Sequence, residues 1–341
     1  MLGRRVTLRD VADRAGVHPS TASRAINAHT RTLVDDQTVA RVLAAAEELG
    51  YQPDSLARAL KTNRTHTVGM VLPDLTNPLF PPIVRGIEDG LGQADYTVIL
   101  ANTDNDPAKE RKVLNALLAR RVDGLILATT LRDPSQTIRE LIDGGLPTVL
   151  VNRTVDDPAV PSVLADDRNG IRLAVDHLVE LGHTRIGHVA GPQQTSTGRL
   201  RHDSFIASME RAGLPVDPDR IEVAEWFREE QGADACRTLL DRCPDTTAIV
   251  AGNDLIAIGC YDVAQERGLE VGADLSVVGY NDMLFADKLC PPLTTVHVPH
   301  YQLGMRAAHL ILDLINDADV DPSGVQLAPA TLVVRASTGA A

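Results

Sequence analysis

From Val68 onward, short apolar runs alternate with stretches of helical periodicity. The runs are Val68–Leu72, Thr97–Ala101, Gly124–Ala128, Thr148–Val151, Arg185–Ala190, Ala248–Ala251 and Ser276–Tyr280. Between them lie segments such as the one opened by Asp106 and Pro107, where Val113, Leu114, Leu117 and Leu118 fall on one helical face. Strands that alternate with helices build parallel sheets, because each strand must return over a face before pairing with the next. The expected class is therefore doubly wound α/β, in two halves at roughly 67–165 and 166–296. The tail, with strand-like Thr331–Val334, is expected to cross back between them. At 341 residues the chain is long enough for two or three cores.

The first 66 residues follow a different pattern. Thr7 can cap a helix, with Asp10 three residues on as a weaker form of the capping box. Leu8, Val11, Ala12 and Ala15 then recur at i, i+3, i+4 and i+7, one buried stripe. Gly16 stands where a left-handed residue ends a helix, and Pro19 suits the first turn of the next. In that second helix Ala22, Ala25 and Ile26 form an apolar back. At about 100° per residue, Ser20, Arg24 and Asn27 fall on the opposite face. A short helix with a small apolar back and a polar front fits the DNA major groove, and an arginine can hold guanine O6 and N7 together, so Arg24 is the candidate base reader. The competing reading is a solvated face on an ordinary helical hairpin. A third helix is capped by Asp35 or Asp36, buries Val39, Val42, Leu43, Ala46 and Leu49, and ends at Gly50. Tyr51-Gln-Pro53 breaks the pattern, Asp54–Leu60 has length for one or two helical turns, and Lys61–His66 reads as a polar linker. The expected organisation is 1–52 for this helix-turn-helix, 53–66 for hinge and linker, and 67–341 for the core. Within the core the first lobe spans about 67–165 plus 300–326, and the second about 166–296 plus 329–341.

Charge separates the two parts. Residues 1–66 carry 10 Lys+Arg against 7 Asp+Glu, a balance of +3, which leaves 23 against 39, or −16, for the remainder. A basic head on an acidic body predicts that only the head meets nucleic acid. Cys236, Cys243, Cys260 and Cys290 follow no metal or redox spacing, so reduced thiols are expected. The N-terminus shows no secretory signal and no stretch approaches a membrane span, which predicts a cytoplasmic protein without a membrane partner.

In open parallel sheets, ligands bind beyond the carboxyl ends of the strands. The loops there hold four of the chain's ten aromatic residues, Phe80, Trp226, Phe227 and Tyr280. They also hold Asp74, Asn77, Asp104, Asn152, Arg153, Arg201, Asn253, Asp254, Asn281 and Asp282. An aromatic face with amide, carboxylate and guanidinium partners suits a polar ring such as a sugar or nucleobase. Several of the Asn and Asp residues are expected to serve instead as caps and turn residues.

The chain resembles the LacI/GalR, or lactose-repressor, family of bacterial transcriptional regulators. The motifs that carry the resemblance are Thr7-Leu-Arg-Asp-Val-Ala12, Ser23-Arg-Ala-Ile-Asn27, Leu49-Gly-Tyr-Gln-Pro53, Ala57-Arg-Ala-Leu60, Asp74-Leu-Thr-Asn-Pro78, Arg121-Val-Asp-Gly-Leu125, His177 to His183, Asn253-Asp254, Ser276 to Asp282 and Pro292-Leu-Thr-Thr295. The resemblance implies a two-lobed, periplasmic-binding-protein-like core with effector in the cleft, and a homodimer as the unit that binds double-stranded operator DNA. It implies base reading by Pro19, Ser20 and Arg24, flanked by Thr7, Thr21 and Asn27, and a hinge helix whose Leu60 wedges into the minor groove. Phe80, Asn152, Arg201, Trp226, Asn253 and Asn281 would touch the effector, joined by Asn77, Asp104 and Arg153 from the same loops. Two departures stand out. Pro19 offers only an apolar contact, and Asn152 and Asn281 stand where sugar-binding members often carry Asp. The chain also ends at Ala341 without a heptad run, so the extra tetramer-forming helix of the lactose repressor is not expected.

The function expected is a sequence-specific repressor controlled by a small polar effector, sugar-like or nucleobase-like, with allosteric coupling between cleft and operator and no cofactor. The alternative is a catabolite-control-type regulator whose co-effector is a phosphorylated carrier protein. An enzyme is not expected: the chain has no Walker loop, no Gly-x-Ser-x-Gly elbow and no Rossmann glycine triplet after the first strand. The pairs His183/His188 and His297/His300 have suggestive spacings, but structural hydrogen bonding is expected of them and no metal site.

Overall fold

The structure is a computed structural model that describes residues 6–27, 30–51, 64–129, 131–156, 160–318, 321 and 324–341. Leu60 and the rest of the expected hinge segment Asp54–Leu60 lie outside the described residues. The chain forms two compact units, Met1–Thr65 and His66–Ala341.

The first unit packs three helices, α1 (Leu8–Ala15), α2 (Pro19–Ile26) and α3 (Asp36–Glu48). Thr7 and Asp10 form the full reciprocal capping box, and Gly16 ends α1 at φ 65°, the left-handed conformation that costs glycine nothing. Asp35, not Asp36, caps α3 by accepting from the Thr38 N–H at 2.9 Å. Arg31 closes the end of α2 by donating to the Ala25 and Ile26 carbonyls at 3.0 and 3.3 Å. Val11, Ala12, Ala22, Ala25, Val39, Val42 and Ala45 meet in one small core.

The second unit contains two six-stranded sheets among the described residues. In the first lobe the order is β11 (Val325–Ala328), β5 (Ser162–Ala165), β4 (Thr148–Val151), β3 (Gly124–Leu127), β1 (Thr67–Leu72) and β2 (Thr97–Asn102), all parallel. In the second it is β12 (Thr331–Val333), β10 (Thr294–His297), β9 (Ser276–Asn281), β8 (Ala248–Ala251), β6 (Ile186–Ala190) and β7 (Ile221–Val223), parallel except for β12. Four of these strands, β5, β7, β10 and β11, have no counterpart among the apolar runs. The edge strands explain two of them: β7 and β11 leave most of their residues partly or fully exposed, so neither needs to be apolar throughout.

Among the described residues seven helices of 13 to 16 residues cover the sheets: α4 (Phe80–Gly92), α5 (Pro107–Ala119), α7 (Asp167–Glu180), α8 (Ser196–Arg211), α9 (Glu229–Arg242), α10 (Asp254–Glu266) and α11 (His300–Ile315), joined by the eight-residue α6 (Gln136–Asp143). The chain passes from one lobe to the other between β5 and α7, between β10 and α11, and between β11 and β12. In the first lobe α4 and α11 lie side by side, close enough to touch backbone to backbone. A Cβ at Gly86 would sit 2.1 Å from the Tyr301 carbonyl oxygen, and one at Gly304 would sit 2.1 Å from that of Ile83. Only hydrogen fits at either place.

His188, within β6, is completely buried and stacks on Phe205 with ring centroids 4.7 Å apart. Its Nδ1–H donates to the Val250 carbonyl at 2.8 Å, and burial keeps the ring neutral. His183 is likewise held by Thr247, Ser276 and the Gly339 carbonyl.

Two outcomes follow from this packing. Gly304→Ala must push α4 and α11 apart, and is expected to cost about 1–3 kcal/mol. Gly92→Ala, where nothing lies within 4 Å, should not lower the melting temperature. Equal melting curves for the two variants would contradict the close approach. The second outcome concerns acid. Burial holds His188 down to about 3, from 6.5. Between those pH values the unfolded chain binds a proton that the folded one refuses, so this contribution to stability falls as pH drops from about 6.5 toward 3. Denaturant titrations of His188→Gln should show a shallower loss across that window than the unsubstituted protein.

Candidate functional site

The polar face of α2 is the candidate DNA interface. Ser20, Arg24 and Asn27 are exposed, Pro19 and Thr21 are half-buried, and Ala22 and Ala25 point into the core. His18 caps the helix: its Nδ1 accepts from the Ser20 N–H at 3.2 Å and from the Ser20 hydroxyl at 2.7 Å. Thr7 is held in the same local way, its hydroxyl donating to Asp10 at 2.7 Å. Both hydroxyls are oriented by bonds within their own helix starts. Sequence reasoning missed His18 as a cap; its place just before a proline at N1 was the available signal.

The second candidate site is a cavity of about 20 Å³ between the lobes of the second unit. It is lined by Asn77, Leu79, Phe80, Asn152, Arg153, Thr197, Arg201, Phe227, Asn253 and Asn281. That is room for about one water, so a ring-sized ligand requires the lining to part. The walls already touch at the rim, where the Thr154 N–H donates to the Ser196 hydroxyl at 2.9 Å and Arg228 reaches Asp74 at 3.4 Å.

Each lining residue is set by its element. The Asn77 side-chain oxygen accepts from the Leu79 N–H at 3.0 Å and so starts the turn into α4, where Phe80 is buried. Asn152 follows β4 at φ 65°, a conformation asparagine tolerates better than most residues. Asn281 ends β9, and its buried Oδ1 has no hydrogen-bond partner. Asn253 caps α10, its Oδ1 accepting from the Ile256 N–H at 2.9 Å.

Arg201 on α8 is 3% exposed. It donates to Asp167 at 2.9 Å and to the Gly252 carbonyl at 2.8 Å, and its guanidinium lies 3.8 Å from the centroid of the Tyr280 ring. Cation, carboxylate and ring form one buried stack beneath the cavity. Burial, with Asp167 beside it, pushes the Tyr280 phenol well above its ordinary range. Arg153, 7% exposed, has neither its Nε nor one of its terminal nitrogens hydrogen-bonded. Burial and the neighbouring Arg201 press it down to about 10.

Two expected contacts lie apart from the cavity lining. Asp104 is exposed and bonded to Lys109 and to the Asn102 amide, which hold its carboxyl below the ordinary range. Trp226 is half-buried but absent from the lining; Phe227, the next residue, is the ring that faces the cavity. Phe227 packs against Gly191, where a Cβ would approach its ring to 2.2 Å, so its place in the lining depends on a glycine in another loop. Leu79 and Thr197 line the cavity although sequence reasoning named neither. Asp254 braces the loop behind the site, accepting from the Met283 N–H at 2.7 Å and the Thr295 hydroxyl at 2.5 Å, and burial lifts its carboxyl to about 7.

Residues 7–54 match the bacterial regulatory proteins of the lacI family, and residues 65–335 match the periplasmic binding proteins and sugar binding domain of the LacI family. The chain belongs to the LacI family. It is 37% identical over 324 residues to the ribose operon repressor of Escherichia coli (strain K12), covering 95% of this chain and 97% of that one. It is similar to the lac repressor dimer bound to operator and the anti-inducer ONPF, with a TM-score of 0.86 at 30% identity over 99% of this chain and all of that one. A cellobiose complex of the regulator CelR gives a TM-score of 0.76 at 31% identity, over 98% and 100% of the two chains. As a LacI-family member the chain is an effector-controlled, DNA-binding transcriptional regulator and not an enzyme. Among its described residues no helix is long and apolar enough to cross a membrane.

The buried pair dictates how variants at this site will behave. Arg201→Met leaves Asp167 charged and alone in the interior, and is expected to cost about 3–5 kcal/mol. Adding Asp167→Asn should restore part of that stability. A double variant no more stable than the single one would show that Arg201 acts by packing on Tyr280 instead of neutralising Asp167.

Proposed function

We propose that this LacI-family member is a cytoplasmic repressor that binds a pseudo-palindromic operator as a homodimer and is switched by a small polar ring held in the cleft. The observation that carries the effector half is the cleft itself. It brings two aromatic rings, four asparagines and two guanidinium groups around one buried space. Phe80 and Phe227 are assigned to the ring faces of the ligand, and Asn77, Asn152, Arg153, Arg201, Asn253 and Asn281 to its polar edge. The likeness to the ribose operon repressor supports a ligand of monosaccharide size. A buried cleft favours a small molecule over a phosphorylated carrier protein, which needs an open face to dock.

On DNA, Arg24 is assigned to base reading, with Pro19, Ser20, Thr21 and Asn27 beside it and Thr7 at the backbone. Leu60 is assigned to the minor-groove wedge between two paired hinge segments. One reader helix touches too few bases for gene-level specificity, which calls for two copies. We assign the second copy to the open first-lobe face between α4 and β2, where Leu100 and Tyr301 are each 39% exposed.

Operator fragments selected from a random pool test the reading directly. They should be symmetric, and Arg24→Ala should cost about 1–3 kcal/mol on them while relaxing one base pair per half-site. Equal weakening on operator and random DNA would limit Arg24 to phosphate. Effector should alter operator affinity, and operator should alter effector affinity by the same factor.

A further inference from the structure

The two arginines of the cleft are not equivalent. Arg201 is neutralised by Asp167 at 2.9 Å, with side-chain exposures of 4% and 5%. Arg153 has no acid partner among the described residues, and two of its nitrogens are buried without a hydrogen bond. Among the described residues no lining side chain is a carboxylate. Five acids of the surrounding loops are engaged elsewhere. Asp74 holds Thr76 and Arg228, Asp104 holds Lys109, Asp156 holds Arg132, Asp254 holds Thr295 and the Met283 N–H, and Asp282 holds Arg335 and His297.

Among the described residues the cavity therefore carries one uncompensated positive charge, along with N–H donors that have nothing to bond. An unpaired buried charge costs several kcal/mol, and a ligand that excludes the remaining water raises that cost unless it brings the opposite charge. Hydroxyl oxygens can accept from a guanidinium, but they cannot neutralise it. A neutral polyol also needs acceptors for its own hydroxyl protons. Here the side-chain acceptors are limited: the Asn77 and Asn253 oxygens are already bonded to helix starts, which leaves the neutral oxygens of Asn152, Asn281 and Thr197. The depressed value of about 10 for Arg153 points the same way, since burial acts on a charge that no described residue offsets.

We infer that the effector is an anion: a small polar ring or polyol bearing a phosphate or carboxylate that pairs with Arg153. The inference rests on the cleft being the effector site and adds to it the charge of the ligand. A phosphate or carboxylate oxygen can accept both unbonded N–H groups of one guanidinium, the planar two-point contact for which arginine is suited.

Thermal melting of the full chain, followed by calorimetric titration, tests this with matched probes. The first comparison is sodium phosphate against sodium chloride at equal ionic strength. The second is ribose, ribose 5-phosphate and ribonate, with glucose, glucose 6-phosphate and gluconate, and uracil with orotate. Each is run on the unsubstituted protein, on Arg153→Met, and on Phe227→Ala and Asn281→Ala. Phosphate should stabilise the unsubstituted protein and not Arg153→Met. An anionic probe should bind more tightly than its neutral partner, and Arg153→Met should lose about 10- to 150-fold of that affinity. Without ligand, Arg153→Met should melt no lower than the unsubstituted protein, because it removes a charge that nothing pairs. Preference for phosphate over carboxylate, or the reverse, identifies which anion is carried.

Several results would overturn the inference. A neutral sugar or base that binds more tightly than all its anionic partners, with affinity dependent on Phe227 and Asn281, would leave the cleft as effector site and remove only the anion. Anion binding that survives in Arg153→Met would do the same. If every probe that binds is indifferent to Phe227→Ala and Asn281→Ala, the cleft reading fails with it. No stabilisation by phosphate, together with no advantage of any anionic probe, also rejects the anion.

Discussion

The structure is organised by one constraint on parallel sheets: every strand must return over a face before the next begins, so all carboxyl ends gather on one edge. Each lobe obeys it separately. β1 and β4 deliver Asn77, Phe80, Asn152 and Arg153 to the edge of the first sheet, and β6, β8 and β9 deliver Thr197, Arg201, Asn253 and Asn281 to the edge of the second. The chain then crosses between the lobes at three places, which keeps the two edges facing each other. The cavity is the space between those edges, and its lining comes from loops that are far apart in sequence.

The rigid parts behind the loops are what give the site its chemistry. Gly86 and Gly304 let α4 and α11 meet at backbone distance, which seats α4 and with it Phe80 at the start of the helix. On the other side, Arg201 is fixed by a carboxylate, a carbonyl and a ring at once, so it can offer a ligand direction but little net charge. Arg153 is the opposite case. It is almost as buried, yet nothing in the described protein neutralises it, and its charge is available to whatever enters. Two residues of the same type, in one cavity, are thereby given different roles by their partners.

Much of this was readable in the order of residues. The helix-turn-helix shows because its signals are local: Thr7 with Asp10, the left-handed Gly16, and Pro19 at the first turn of α2 each act within a few residues. The buried strands β1, β3, β4, β8 and β9 show because strands covered on both faces read as near-continuous apolar runs, broken here only by single polar residues near their ends. The edge strands β7 and β11 do not show, because partial exposure relieves them of that requirement. The loops that reach the cleft could also be named, since strand ends are fixed once the alternation is recognised.

The sequence alone determined the fold class, the helix-turn-helix and the set of loops that converge, because periodicity, caps and strand order are properties of neighbouring residues. Only the tertiary structure decided which loop residues face the cavity. It turned Phe227 inward and left Trp226 out of the lining, because Gly191 leaves space for one ring and not for a side chain of its own. It withdrew Asp104 to Lys109, and it gave Asp167 to Arg201 while leaving Arg153 without an acid partner among the described residues. Such choices depend on distances between residues far apart in the chain, and no local pattern encodes which charge is neutralised and which is left for a ligand.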